Sequence, residues 1–418
     1  MPSHPLRTRS FALLFAGQTL SLAGDAAVPV ALTLAVYRAT GSSGALALVL
    51  TCALVPKVLL LPLGGVIGDR FDPRTVALVT NAVRAAGQIF VGLQLLGGHP
   101  HLWQIAAAEA VGGVAGAFSL PTAAPLVRGT VDDSQLLRAN ALMASVNGAV
   151  RLGGPALGGT LVLTVGAGWA FLLDGASFAA CAALLAAIRV RRVRILHSPV
   201  LADLKEGWSE VRARDWYWST LIAHGVWNGA AAVLATLGPA MTVGTHGDGE
   251  GTWVTLMQVG SAGVLAGSLL AGRARPRRPV LVSTLGLSTY ALPLALLAAS
   301  APAWATAAAY GLALTGLGYL GPVWDTSVMS AVPEKTLARV TSYDWLISIA
   351  AMPLGYVLAP LAASAVGPGL PLGVAAAAVL VSCLATAALP GVRHFETAPG
   401  PGAPRAPEVA PTQTRTSS

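Results

Sequence analysis

Twelve times along its length this chain runs for about the thickness of a bilayer in apolar residues, and few folds accept such a sequence. A hydrocarbon core of roughly 30 Å takes about 20 residues of helix. The runs are Phe11 to Tyr37, Ala45 to Gly68, Thr75 to Leu96, Leu102 to Leu126, Ala139 to Val165 and Trp169 to Ile188, then Trp218 to Met241, Thr252 to Ala271, Pro279 to Ala299, Pro302 to Ser330, Val340 to Val366 and Pro371 to Leu389. In lipid each backbone N–H and C=O must be bonded within its own segment, so runs of this length are read as helices. Only 11% of residues are charged, against roughly 25% in an average soluble domain. The mean hydropathy of +0.67 extends over the whole chain, so no soluble domain of useful size is expected. The fold class is therefore an all-α membrane protein.

A net charge of +8 suggests nucleic acid in a soluble protein, but the placement of the charges points elsewhere. With the N-terminus in the cytoplasm, all but four of the 26 Lys and Arg fall in cytoplasmic segments; the exceptions are Arg38 outside and Lys57, Arg84 and Arg151 within helices. Such an asymmetry is the positive-inside rule, and it predicts a multi-pass plasma-membrane protein with both termini cytoplasmic and no nucleic-acid partner. Cys52, Cys181 and Cys383 lie in apolar runs as small hydrophobes. The first run is too long for a signal-peptide core and reads as a retained helix.

An internal repeat divides the chain. Pro121 to Arg138 aligns without gaps on Pro322 to Arg339, 201 residues later, with Pro121, Val127, Val131, Leu136 and Arg138 recurring as Pro322, Val328, Val332, Leu337 and Arg339. Gly65 and the loop after it match Gly267 and Arg273 to Arg278 at nearly the same offset. Residues 1–188 and 218–393 are thus expected to form two related six-helix bundles. Between them, residues 189–217 carry Leu201, Leu204, Trp208 and Val211 at helical spacing, which predicts an amphipathic surface helix. Residues 394–418, rich in Pro, Ala, Thr and Ser, are expected to be a disordered cytoplasmic tail.

Two motifs carry a family resemblance. GVIGDRFDPR after the second run holds Gly65, Asp69, Arg70 and Arg74. Gly65 permits close helix approach, Asp69 is an anion suited to a helix N-terminus, and the arginines suit the cytoplasmic face. This loop resembles the signature of the major facilitator superfamily, which implies that these residues gate and do not bind substrate. The fifth run holds GGPALGG, where Gly154, Pro155, Gly158 and Gly159 resemble the motif of that superfamily's antiporters, with Val150 in place of one upstream glycine. With Gly24, Asp25, Asn140 and Arg151, the chain looks most like the drug and siderophore exporters. The resemblance implies two pseudo-symmetric six-helix bundles, a monomer, and proton-coupled export of small hydrophobic or amphipathic compounds.

Ionisable residues inside spans are costly and mark function by default. Asp25, Lys57, Arg84, Glu109 and Arg151 sit at depths of roughly 14 to 26 Å, counted at 1.5 Å per residue. Shifted by 201 residues they fall on Val226, Gln258, Leu285, Tyr310 and Met352, so the second half repeats none of these charges. Asp25 or Glu109 is the expected proton carrier, tuned by burial and by Lys57, Arg84 or Arg151. Gln18 and Ser21 form a polar stripe with Asp25, and His224, Asn228 and Gln258 are further candidates to line a substrate cavity, or else to bond helix to helix. Trp227, Trp324 and Tyr310 are candidate aromatic wall, while Asp174, Asp325 and Asp344 rank lower.

The competing functions leave weaker marks. Lys57, Lys205 and Lys335 follow Pro, Leu and Glu, so the Gly-Lys-Ser/Thr phosphate loop of a transport ATPase is absent. His99 and His101 make a poor metal site without a third ligand, so neither enzyme chemistry nor a cofactor is expected. Within transport, the alternative to export is nutrient import or uniport.

Overall fold

The computed structural model describes residues 4–98, 100–132, 135–188, 208–245, 249–273, 276–332 and 334–396. The first half comprises α1 (Arg9–Asp25), α2 (Val28–Thr40), α3 (Ser43–Arg70), α4 (Pro73–Leu96), α5 (Leu102–Ser119), α6 (Ala123–Arg128), α7 (Leu136–Val165) and α8 (Ala167–Ala187). The second comprises α9 (Asp215–Pro239), α10 (Glu250–Arg273), α11 (Pro279–Ser288), α12 (Ala291–Ala298), α13 (Ala303–Ala331), α14 (Glu334–Ile349), α15 (Met352–Val366) and α16 (Gly369–Ala388). Among the described residues, ten helical stretches are long and apolar enough to cross a membrane, and an eleventh if the bent pair Arg138–Val150 and Gly153–Val165 is one span. The remaining passage, α13, is a continuous helix of 29 residues whose glycines, tyrosines and tryptophans dilute its apolar character.

Several expected single spans are broken, and proline accounts for where. A proline ring clashes with the carbonyl four residues earlier and removes one N–H from the ladder. The first span breaks at Ala26 and Ala27, just after the carbonyl of Asp25 that Pro29 displaces. The ninth breaks at Thr289 and Tyr290, ahead of Pro293, and the eleventh at Ala350 and Ala351, ahead of Pro353. Pro121 tightens the end of the fourth span into a 3-10 turn, Leu120–Thr122, and Pro155 lies just beyond the 45° bend of α7.

The turns at the end of the bundle remote from the chain termini are short, and each passes through a residue with positive φ. Gly41, Gly98, Gly166, Gly249 and Gly367 supply five, and Ser300 the sixth. We call this the distal end; the described basic residues of the loops, Arg38 apart, lie at the other.

The two bundles repeat one packing plan. In the first, α3 lies on α5, α4 on α8 and α1 on α8; in the second, α10 lies on α13, α12 on α16 and α9 on α16. Among the tightest contacts of each plan are those of glycine against backbone. A Cβ on Gly64 would stand 2.2 Å from the Ala117 carbonyl oxygen, and one on Gly267 would stand 2.0 Å from that of Thr315. No side chain larger than hydrogen fits either position.

The halves meet along α7 with α10 and α3 with α15. At the distal end they share one apolar core, in which Val28, Leu32, Val162 and Phe171 join Trp253, Val254, Leu256 and Ala307. Toward the terminal end their cores are separate, one around Phe11, Leu14, Leu126 and Leu185, the other around Tyr217, Trp324, Val328 and Val340. Among the described residues the two halves therefore share a core distally and have separate cores at the other end. The expected surface helix falls mostly outside the described residues; within it, residues 208–212 are helical, Val211 is buried in the second-half core, and Trp208 packs on Tyr343 at 5.5 Å. The expected tail beyond residue 396 also lies outside them.

Candidate functional site

The break in the first span presents Asp25, the last residue of α1, to the interior of the first half. Arg84 of α4 donates from Nη2 to Asp25 Oδ1 at 2.6 Å, and its guanidinium carbon lies 4.0 Å from the ring centre of Phe178 on α8. The Asp25 side chain is 43% exposed, that of Arg84 21%. A carboxylate so open in mid-span must face an aqueous cleft, since lipid would not solvate it.

Two further carboxyls complete the group. Glu109 on α5 is partly buried and lies within electrostatic reach of Asp25 and Arg84. Asp174 on α8, ranked low from sequence because it lies nearer a helix end, is fully buried and within reach of all three. Ser177 Oγ donates to the Asp174 carbonyl at 2.7 Å and lies 3.4 Å from Oδ1, while Oδ2 has no hydrogen-bond partner among the described residues. Gly24 makes this approach possible: a Cβ there would stand 2.5 Å from both Asp174 Oδ1 and Ser177 Oγ. Three acids and one base thus converge on the junction of α1, α4, α5 and α8.

The other expected charges do not join them. Lys57 on α3 is exposed and makes no ion pair among the described residues, its stem lying over Gly116 of α5. The side chain of Arg151 lies outside the described residues, as do those of Gly65, Asp69 and Arg70. Just before that loop Gly64 makes a close approach to the Ala117 carbonyl, and within it Asp72 caps α4 by accepting from Thr75 N at 3.2 Å. Arg74 donates from Nε to the Leu185 carbonyl at 2.8 Å and from Nη2 to that of Ala186, tying off the last turn of α8.

The glycines of the fifth span meet the break in the first. Cβ atoms on Gly154 and Gly158 would stand 2.2 Å from Ala26 Cβ and 2.7 Å from Ala27 Cα, and one on Gly159 would stand 2.7 Å from Val254 across the boundary between halves. Gly355, which is Gly154 shifted by 201 residues, makes the equivalent contact in the second half, 2.4 Å from the Gly229 carbonyl oxygen. Above this layer Gln258 donates to Thr160 Oγ1 at 3.0 Å, joining α10 to α7, and Arg38 of α2 forms a two-pronged ion pair with Glu250 of α10. Gln258 is thus an interhelical bond across the two halves.

The remaining cavity candidates divide. Gln18 is partly buried, and Ser21 turns toward Cys181 of α8, leaving Asp25 as the open member of the stripe. Asn228 donates to the His224 carbonyl one turn back at 3.0 Å. His224 is buried edge-on to Trp324 at 4.9 Å, in the second-half core and away from the cleft. Trp324 stacks on Tyr217 at 5.3 Å and donates from Nε1 to Asp344 at 2.6 Å, and Tyr217 Oη donates to the same oxygen at 3.1 Å. Trp227 and Tyr310 pack on Tyr290, so these aromatics build the core. A cavity of about 230 Å³ lined by Met241, Thr252, Leu297 and Thr306 lies distally in the second half, apart from the charges.

Comparison with known proteins agrees with this architecture. The family model described as Major Facilitator Superfamily matches residues 14–347. The chain is 24% identical over 411 residues to the multidrug efflux pump Tap of Mycobacterium tuberculosis, covering 94% of this chain and 96% of that one. It is 26% identical over 176 residues to an uncharacterized MFS-type transporter, YfiS, of Bacillus subtilis; that match spans 41% of this chain and 40% of the Bacillus protein. Among solved structures, a peptide transporter POT superposes with a TM-score of 0.71 at 13% identity, covering 93% of this chain and 98% of that one. An inward-facing, unoccupied bacterial homolog of the human lysosomal transporter Spinster superposes with a TM-score of 0.66 at 17% identity, covering 92% and 95%.

Proposed function

Since the chain belongs to the major facilitator superfamily and is a membrane transporter of that type, we propose that it is a secondary active transporter exporting small hydrophobic or amphipathic compounds in exchange for protons. The observation that carries the reading is the Asp25 to Arg84 pair: an ionisable carboxyl, open to the interior of the bundle at the break of its helix, held by a cation that a proton would release. A proton on Asp25 frees Arg84, and an arriving solute then competes with that proton for the same cleft. Glu109 is the second carboxyl able to take part. The distal seal and the divided terminal end fit a state open to the cytoplasm, provided the positive-inside reading holds and both termini lie there. The glycines of the fifth span and the likeness to a multidrug efflux pump support exchange and export. We read the protein as a plasma-membrane monomer that needs no cofactor.

The test is transport in membrane vesicles with an imposed pH gradient and a panel of fluorescent amphipathic dyes. Inverted vesicles, acid inside, accumulate dye when this reading holds, and Asp25→Asn reduces the rate at least tenfold. Solute uptake driven by protons into right-side-out vesicles would instead make it an importer. Variants Asp25→Asn and Glu109→Gln that both retain parental proton-driven flux would remove these carboxyls from the mechanism.

A further inference from the structure

We propose that Asp174 is a second proton site, placed behind the Asp25 to Arg84 pair, and that Arg84 exchanges carboxylate partners between Asp25 and Asp174. The proposal rests on the proton-coupled reading above and adds a residue to it. Asp174 is wholly buried, and its Oδ2 meets no hydrogen-bond donor among the described residues. A carboxylate oxygen in that position loses its hydration without replacement, whereas the neutral acid does not carry the charge that makes burial costly. The group is therefore carried as the acid while Arg84 is engaged with Asp25.

Among the described side chains, Arg84 is the cation placed to change this. Helix α8 packs on α1, α2, α4 and α7. From α1 it is faced by Asp25 and the Ser21 hydroxyl, from α4 by Arg84, and Glu109 reaches the cluster from α5. Arg38, the charged residue of α2, is committed to Glu250. Arg151 of α7 has its side chain outside the described residues. Phe178, one turn beyond Asp174 on the same helix, supports the guanidinium face at 4.0 Å, so Arg84 can pivot on this ring between the two acids.

The exchange balances. The Asp174 acid, with ionised Asp25 paired to Arg84, becomes ionised Asp174 paired to Arg84, with a proton on Asp25. One proton passes from the buried acid to the exposed one, no net charge is created, and Asp25, at 43% exposure, then trades that proton with the cleft. Asp174 is the store and Asp25 the port.

Infrared spectroscopy of the purified full-length protein tests this without a known solute, through the carbonyl stretch of protonated carboxyls at neutral pH. The parent is expected to show a component that disappears in Asp174→Asn and persists in Glu109→Gln. It is lost also in Asp25→Asn, where Arg84, released from Asp25, pairs with Asp174. Asparagine has the shape of the neutral acid, so Asp174→Asn should keep the parent's melting temperature; a variant that fails to fold, or an unchanged spectrum, overturns the proposal. If the component follows Asp174 but the parent moves no solute in a pH gradient, proton-coupled transport fails and the buried site stands. If pH-driven transport is intact and the spectrum ignores Asp174, only this proposal fails.

Discussion

Removing the Arg38 to Glu250 pair should open the distal seal by a measurable and modest amount. Both prongs of the guanidinium engage the Glu250 carboxylate, but the side chains are 46% and 20% exposed, so solvent screens much of the attraction. Exposed ion pairs of this kind contribute about 0.5 to 1 kcal/mol, and the two-pronged geometry argues for the upper part of that range. If the pair exists only when the distal end is closed, Glu250→Gln shifts the closed-to-open ratio about two- to fivefold. Spin labels at Gly44→Cys and Gly251→Cys, both exposed positions, report that ratio by pulsed dipolar spectroscopy once Cys52, Cys181 and Cys383 are replaced. The effect should shrink as salt rises, because the Debye length is about 8 Å near physiological ionic strength and shorter above it. Arg38→Gln should match Glu250→Gln, and the double variant should be no worse than either. A distance distribution unmoved by Glu250→Gln at low salt, or single-variant effects that simply add, would refute the latch.

Other consequences follow from the same contacts. Gly24→Ala should lower the thermal stability of the purified protein by about 1 to 3 kcal/mol through overpacking against Asp174 and Ser177, whereas Gly148→Ala, which points into open space, should leave it unchanged. Arg74→Ala removes the partners of two terminal carbonyls and should fray the end of α8 by about 1 kcal/mol, read as faster amide exchange across residues 183–187. Asp25→Asn should cut proton-driven dye flux at least tenfold, as set out above.

Much of this architecture was readable before any coordinates, because lipid permits so few backbone solutions. Span number, the positions of the loops and the repeat all came from length, charge and self-similarity. The breaks also have a signal in the sequence that the apolar runs alone do not show: Pro29, Pro293 and Pro353 each stand just beyond one. The candidate site was less legible. Depth along a helix follows from counting, and it placed Asp25, Arg84 and Glu109 within the span at roughly 14 to 26 Å, though not side by side. The direction in which a side chain leaves the helix does not follow from counting when a helix is apolar all round, and for that reason Lys57 was grouped with residues that it does not meet. Asp174 was underweighted because distance from the helix end was used as a measure of burial. The available signal was lateral: Gly24 beside Asp25 on one helix, and an acid, a serine and a phenylalanine along one stretch of α8.

The glycine facets at Ala26, Ala27 and Gly229 each join two helices of the same half, so they bear on how readily the helices within a bundle can slide. Where side chains interlock, sliding one helix past another means lifting each knob from its socket. Here a severed helix rests on bare backbone in each half, with nothing to lift. Resistance to motion would then reside in the few polar ties above and below these facets, and a leucine at Gly158 would act as a brake on turnover while leaving affinity for cargo intact.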